Sequence, residues 1–171
     1  AAGAVAAFAE LLPLRERVLG PEHPDTLTTR ANLAYCRGEA GDAAGAEAAF
    51  AELLPIRERI LGPEHPDTLT TRNNLAYCRG EAGDAAGAEA ALTELLPIRE
   101  RILGPEHPDT LTTRNNLAYC RGEAGDAAGA EAALTELLPI RERILGPEHP
   151  NTLTTRHNLA RWRGQAGDAE G

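Results

Sequence analysis

The sequence contains no serine and no lysine, and aromatic residues supply only 4% of its 171 positions. The absence of serine removes one class of hydroxyl nucleophile, and neither a glycine-rich phosphate loop nor an HExxH zinc motif is present. Apolar residues reach 42%, but many of them are alanines, whose small side chains favour helix-on-helix packing over a sheet. We therefore expect a helical protein that is not an enzyme and that holds no cofactor.

Long hydrophobic runs are also missing, since none approaches the ~18 residues of a membrane helix. The first ten residues lack the basic region of a signal peptide. The formal net charge of −9 repels phosphate backbones and anionic lipids. Cys36, Cys78 and Cys120 stand 42 residues apart without CxxC spacing, which favours free thiols in a reducing compartment. These features predict a cytoplasmic protein that binds neither nucleic acid nor membrane.

A 42-residue period is the strongest signal in the sequence. Residues 62–103 are identical to residues 104–145 at all 42 positions, and residues 20–61 differ from them at three. Residues 1–19 match the second half of a unit, and residues 146–171 match the first half with changes. Such a period predicts a single domain, 1–171, in which each unit packs on its neighbours.

The first helix of each unit, helix A, is bounded by proline and glycine. In the unit 62–103, Pro66 suits a first helical position because its missing N–H costs no hydrogen bond there. The pattern then predicts helix through about Ala82, with Gly83 ending it.

The second helix, helix B, is predicted from Ala85 to about Leu103, with Asp84 as its N-cap. Pro97 lies inside it, where proline normally costs about 3 kcal/mol. Helical projection puts Pro97 on the solvent side, so we expect one curved or kinked helix and not two.

Helical projection also places an apolar stripe on each helix. On helix B the stripe consists of Ala88, Ala91, Leu92, Leu95, Leu96, Ile98, Ile102 and Leu103. On helix A it consists of Leu69, Leu75, Ala76 and Ala82. Since neither helix can bury its stripe alone, the pairs must stack. The predicted fold is an all-α, right-handed superhelical solenoid of antiparallel helix pairs, with about eight helices, a B helix first, an A helix last, and A helices on the inner surface.

The segment Leu61–Thr68, followed by Asn73, Asn74, Leu75 and Ala76, resembles the 42-residue tetratricopeptide repeats of kinesin light chains. It resembles even more closely the repeats appended to bacterial signalling NTPases of actinobacterial type. The match continues at the family's packing positions, but Ala85 stands where the family usually has a bulky aromatic. The resemblance implies a protein- or peptide-binding array without catalysis. The further matching positions are Gly83, Ala88, Leu92, Leu95 and Ile98.

The side chains opposite the buried stripe of helix A are the candidate ligand contacts, together with Glu81 and Glu123 on the same arc. Asparagine offers donors and an acceptor to a peptide backbone, and tyrosine adds a rigid amphipathic surface. The resemblance implies that Asn73 and Asn115 hold a peptide. Alternatively, the asparagines bridge neighbouring repeats and the tyrosines pack between A helices. The candidates are Thr70, Asn73, Asn74, Tyr77, Thr112, Asn115, Asn116, Tyr119, His157, Asn158 and Arg161.

Other recurring residues are predicted to be structural. Copies of a histidine about 10 Å or more apart cannot share a metal, so we expect turn roles for these histidines and no metal site. The cysteines are expected to be small packing residues. Arg99 and its neighbours Glu100 and Arg101 are expected to form a solvated charged face with ion pairs worth about 0–1 kcal/mol each. The histidines are His23, His65, His107 and His149.

The two ends are out of phase, because the sequence begins with a B helix and ends with an A helix. Each end is therefore expected to present apolar surface that fits the other, which suggests head-to-tail self-association and a fragment of a longer array. Trp162 is alternatively a partial cap. The predicted end residues are Val5, Phe8, Leu11 and Leu12 at one end and Leu153, Leu159 and Trp162 at the other.

Two functions remain open at this point. The first is a non-enzymatic scaffold that binds a protein or extended peptide along the A helices. The second is a structural spacer or self-associating array without a dedicated ligand, which the near-identity of the repeats favours slightly. That identity also fits a consensus-engineered chain.

Overall fold

The computed structural model describes residues 2–169, with side chains described for residues 2–165. The predicted half repeats include residues 1, 170 and 171, which lie outside this range. Within it the chain forms eight α-helices and no strand, which confirms the predicted all-α array with a B helix first and an A helix last. The helices are α1 (Ala2–Leu19), α2 (Pro24–Glu39), α3 (Ala43–Leu61), α4 (Pro66–Glu81), α5 (Ala85–Leu103), α6 (Pro108–Glu123), α7 (Ala127–Leu145) and α8 (Pro150–Ala169).

Each A helix begins at a proline that follows a histidine. The Nδ1 atom of His65 accepts a hydrogen bond of 3.2 Å from the backbone N–H of Asp67, in the first turn of α4. An imidazole thus supplies the N-cap acceptor that serine, threonine or asparagine usually supplies. This gives the expected turn role a specific chemical form. The same bond recurs at His23, His107 and His149.

The B helices are capped by aspartate, as expected. The Asp84 carboxylate accepts a hydrogen bond of 2.9 Å from the backbone N–H of Gly87, and α5 has the predicted bounds. Gly83 has a φ of 111°, a conformation that other residues rarely adopt, so a glycine is favoured immediately before this cap. Helix α4 ends at Glu81, one residue earlier than expected.

The proline inside each B helix does not divide it. Helix α5 continues through Pro97, which is exposed, so the carbonyl of Thr93 that loses its N–H partner can be hydrated. The prediction of one helix is confirmed. The corresponding prolines Pro13, Pro55 and Pro139 are also inside helices and exposed.

The helices belong to two compact units, and each unit has its own apolar core. In unit 1, α1 packs on α2, α2 on α3, and α3 on α4; in unit 2, α5 to α8 pack in the same succession. Each fully buried leucine contributes about 1.5–3 kcal/mol to folding. The core of unit 1 contains Leu27, Ala34, Ala46, Phe50, Leu53 and Cys78. The core of unit 2 contains Leu111, Ala118, Ala130, Leu134, Leu137, Leu159 and Trp162.

Among the described residues, none of the helices combines the length and apolar character needed to cross a membrane.

The histidine caps lead to a stability prediction. Replacing His65 by alanine removes the acceptor at the start of α4 and should lower the free energy of unfolding by about 1 kcal/mol. Asparagine at this position should retain most of the stability, because its side chain also accepts the N–H bond. Urea unfolding followed by circular dichroism measures both effects. His157, which is exposed on α8, provides the matched control, and His157→Ala should change stability by less than about 0.5 kcal/mol. An equal loss in His65→Ala and His157→Ala would contradict the capping role.

Candidate functional site

The A helices approach one another more closely than the B helices do. The backbones of α2 and α4 come within 8 Å in unit 1, as do those of α6 and α8 in unit 2. Over the described residues, no comparable approach joins α1 to α3 or α5 to α7. Because stacked pairs come closest on their inner side, the A helices lie on the inner side of each unit. We call the surface they present the A-helix face.

Most of the predicted contact residues are accessible, at least in part. Asn32 and Tyr35, which the prediction left out, are exposed on α2. His157 and Arg161 are exposed on α8, and Glu81 and Glu123 are exposed at the ends of α4 and α6. The half-buried candidates are Thr70, Asn74, Tyr77, Thr112, Asn116 and Tyr119.

Three predicted contacts are buried instead. Asn73, Asn115 and Asn158 are only 3%, 5% and 7% exposed. The Oδ1 atom of Asn115 accepts a hydrogen bond of 3.1 Å from the Thr155 hydroxyl, which links α6 to α8. The expectation that these three asparagines line an open groove is therefore corrected. For Asn115 the contact is a bridge between neighbouring repeats, which was the alternative interpretation.

A cleft of about 340 Å³ opens between α2, α4 and the start of α3 in unit 1. Its walls combine two tyrosines, two carboxylates and one asparagine above a floor of small and apolar residues. A Cβ added to Gly38 would be in ordinary van der Waals contact with Ala46 and Cys78, at 3.5 and 3.7 Å. The lining residues are Tyr35, Gly38, Glu39, Gly41, Ala43, Phe50, Asn74, Tyr77, Cys78 and Glu81.

The cleft has a negative electrostatic character. Its described lining includes Glu39 and Glu81 but neither arginine nor histidine. Burial raises the pKa of Tyr35, and the charge of Glu39 and a hydrogen bond with it raise the pKa further. Burial, together with the charges of Glu47 and Glu81, raises the pKa of Cys78 to about 11. A cation would be favoured in these surroundings, whereas a thiolate is not.

The corresponding place in unit 2 is filled by side chains of the last repeat. Arg161 and Trp162 stand where the other repeats have tyrosine and cysteine. Trp162 is 1% exposed and packs against Gly122, where an added Cβ would come within 2.5 Å of the indole ring. The Arg161 guanidinium lies 4.5 Å from the Trp162 ring and 5.4 Å from the ring of Tyr119, and it pairs with Glu123 at 2.5 Å.

Arg99 is buried, with only 2% of its surface exposed, so the expected solvated face is corrected at this residue. Its Nη1 atom donates to the backbone carbonyl of Asp109, at 2.7 Å, and to the Thr113 hydroxyl, at 2.9 Å. Burial lowers the pKa of Arg99, with the charge of Asp109 acting in the opposite direction. Arg57 and Arg141 make the equivalent contacts to the next A helix. The expected ion pairs between repeats occur at Glu58 with Arg72 and at Glu142 with Arg156. The pairs of Arg59 with Glu22 and of Arg143 with Glu106 lie within one repeat.

The predicted end surface is only partly present. Leu153 is 48% exposed, but Leu159 and Trp162 are buried against α6 and α7. The expectation of apolar surface at these two residues is therefore corrected, because α8 turns that side toward the core of unit 2. The residues predicted on α1, Val5, Phe8, Leu11 and Leu12, are half-buried.

The sequence interpretation missed the first full repeat as a source of site residues. Tyr35 and Glu39 lie 42 residues before Tyr77 and Glu81, so the period alone was sufficient to add them. Phe50 could not be found in this way, because the two following repeats have leucine at its position. In the part of the chain that the structure describes, no three histidine, cysteine, aspartate or glutamate side chains are grouped so that they could hold a metal ion.

The sequence was compared with protein families and with curated proteins. The sequence matches the family described as tetratricopeptide repeat over residues 2–59, 32–101, 81–143 and 122–170. No curated protein matches the chain.

Solved structures show the same fold. A protein of Podosopora anserina provisionally described as a kinesin light chain, with nearly identical TPR-like repeats, is 27% identical, with a TM-score of 0.70. That match covers 97% of this chain and 80% of the other, and a variant of the same protein gives a TM-score of 0.72. BtubC (BKLC) from P. vanneervenii is 24% identical with a TM-score of 0.74, and the match covers 95% of this chain and 65% of that chain.

The thiol of Cys78 in the cleft should react slowly with alkylating reagents. Because its raised pKa of about 11 lies above neutral pH, Cys78 should remain a protonated thiol up to about pH 9 and react slowly with iodoacetamide. Its labelling rate should rise about tenfold per pH unit toward pH 11, as the thiolate fraction grows. Half-buried Cys36 should be labelled first at pH 8. The measurement uses the variant Cys120→Ala, because the tryptic peptides 73–79 and 115–121 are identical in the wild-type chain. Mass spectrometry of its tryptic peptides distinguishes Cys36 from Cys78, and Cys78 labelling as fast as that of Cys36 would contradict the assignment.

Proposed function

Since the chain belongs to the tetratricopeptide repeat family, we propose that it is a non-catalytic scaffold that binds an extended peptide or protein segment on its A-helix face. Repeats of this family generally mediate interactions between proteins. The cleft in unit 1 carries the proposal, because it is a concave part of this face lined by polar and aromatic side chains. The free cysteines support a location in a reducing compartment such as the cytoplasm.

The chemistry of the A-helix face suits a peptide backbone. Exposed Asn32 and half-buried Asn74 occupy equivalent positions on α2 and α4 of unit 1. Each amide offers two donors and an acceptor, which can pair with peptide N–H and C=O groups whatever the peptide sequence. Tyr35, 54% exposed, adds a large contact surface with few rotatable bonds.

A panel of fluorescein-labelled nonapeptides with varied central residues tests this proposal by fluorescence anisotropy. The double variant Asn32→Ala/Asn74→Ala should weaken binding of the captured peptides about five- to tenfold, because two hydrogen-bonding groups are lost. The control Glu94→Ala alters an exposed residue of α5, a B helix, and should leave affinity unchanged. If the peptide affinity is unchanged in Asn32→Ala/Asn74→Ala but falls in Glu94→Ala, the contact surface lies elsewhere.

A second function, head-to-tail self-association, is supported by one observation on the helix surfaces. Leu14 and Val18 of α1 are 49% and 73% exposed, whereas their repeat equivalents Ile56 and Ile60 pack against the core of unit 1. Leu153 of α8 is likewise exposed, although its equivalent Leu111 is fully buried. We propose that α8 of one copy covers α1 of the next, as an A helix covers the following B helix inside a unit.

Sedimentation velocity over a range of concentrations tests this association. The wild-type chain should form species larger than a monomer as concentration rises, and Leu153→Glu should shift the distribution toward monomer by placing a charge in the apolar contact. Thr135→Glu adds the same charge at an exposed position of the B helix α7, away from this contact, and is the control that should associate like the wild type. A wild-type chain that remains monomeric at every concentration would reject the second function.

A further inference from the structure

A tyrosine and a glutamate one helical turn apart recur on the A helices. They are Tyr35 with Glu39 on α2, Tyr77 with Glu81 on α4, and Tyr119 with Glu123 on α6. Residues four apart lie on the same side of a helix, so the aromatic face and the carboxylate can act on one group together. The α8 copy departs from this pattern and has Arg161 in place of the tyrosine.

In unit 2 the chain itself supplies a guanidinium to one of these pairs. Arg161 donates from Nη1 to the Tyr119 hydroxyl at 3.3 Å and pairs through Nη2 with Glu123 at 2.5 Å. Its guanidinium carbon lies over the rings of Tyr119 and Trp162, within the range of cation–π attraction. The tyrosine–glutamate pair is thus built to bind a planar cation by charge, hydrogen bond and ring face at once.

Unit 1 repeats the pair but not the cation. Tyr35 and Glu39 both line the 340 Å³ cleft, and the residues at the positions of Arg161 and Trp162 are Tyr77 and Cys78. Neither a guanidinium nor an indole of α4 therefore takes up the space beside Tyr35 and Glu39. The cleft also carries a second carboxylate, from Glu81.

We propose that the unit 1 cleft binds an arginine side chain of a partner peptide, against the ring of Tyr35 and the carboxylate of Glu39. The arrangement is that of Arg161 in unit 2, with the guanidinium supplied by the partner instead of by the chain. Arginine is favoured over lysine because its flat group stacks on rings and offers paired donors to a carboxylate. This inference rests on the proposed function and names the ligand chemistry of that site.

Three blocked, fluorescein-labelled nonapeptides of glycine and alanine, differing only in the central residue, provide the test by anisotropy. The arginine peptide should bind at least about tenfold more tightly than the citrulline peptide, which keeps the shape but lacks the charge. Glu39→Gln should abolish most of this difference, whereas Glu94→Gln, on the exposed side of α5, should not change it. A lysine peptide should bind with intermediate affinity. Affinity for arginine should fall as salt is raised, because the cleft carboxylates are partly exposed.

A gain of binding in unit 2 distinguishes this arrangement from general attraction to an acidic chain. Arg161→Gln removes the internal guanidinium and leaves Trp162 in the core, so an external arginine can take the place of the Arg161 guanidinium beside Glu123. Calorimetry should then count about one more arginine peptide per chain than for the wild type. Circular dichroism of each variant checks that the helices are retained.

The outcomes separate the two proposals. Equal binding of the arginine and citrulline peptides, sensitive to Asn32→Ala/Asn74→Ala, would overturn the arginine assignment and support the peptide-binding function. An arginine preference that survives Glu39→Gln would also overturn the assignment. No binding of any peptide at millimolar concentration would overturn both.

Discussion

A buried arginine near the end of α3, α5 and α7 joins each of these B helices to the A helix that follows, and the position of the A-helix face depends on this contact. Arg57 donates to the backbone carbonyl of Asp67 and to the Thr71 hydroxyl, both in the first turns of α4. Burial lowers the pKa of such a guanidinium, and the charge of Asp67 partly offsets that effect. The Thr71 hydroxyl itself donates to the Asp67 carbonyl. Removing the arginine would leave that bond but take a charged donor from both oxygens inside the protein, which is costly. The contact therefore fixes where each A helix begins and which side it turns inward.

In the last repeat several side chains differ from those of the other repeats, but the arginine contact between the B helix and the following A helix is retained. Asn151 replaces the aspartate of the other repeats, yet Arg141 still donates to its backbone carbonyl. Without the nearby carboxylate, burial lowers the pKa of Arg141 to about 10, so it remains charged at neutral pH. The arginine contact thus depends on a backbone carbonyl and does not require an aspartate side chain at that position. This independence lets repeats with the same helix geometry carry different groups on their A-helix faces.

Much of the fold could be predicted from the sequence, because caps and period are local signals. Pro66 and Asp84 set helix starts through backbone hydrogen bonding that involves only neighbouring residues. The burial of Arg99 was not predicted, although its position is in line with Leu92 and Leu95 on the apolar stripe of helix B. The position of Arg99 indicates burial and its charge indicates exposure, since charged side chains are rarely buried without a partner.

The candidate site was less predictable for the same reason. Asn73 follows Leu69 by one helical turn and therefore shares the buried side of α4, which an amide occupies only where a neighbouring repeat supports it. Such support depends on how two helices meet, as in the bond from Thr155 to Asn115. The sequence of one repeat does not show how its A helix packs against the A helix of the next repeat. The predicted contacts on the A helices therefore included asparagines from the buried side of these helices.

The distribution of aromatic residues connects the composition to the proposed site. One tryptophan, three tyrosines and two phenylalanines make six aromatic residues in the whole chain. Three of them, Tyr35, Phe50 and Tyr77, line the unit 1 cleft, and two more, Tyr119 and Trp162, surround the Arg161 guanidinium. Phe50 and Trp162 also belong to the two apolar cores, whereas the three tyrosines are exposed or half-buried. Their concentration at two equivalent places, each with a carboxylate, is what recognition of a planar cation requires.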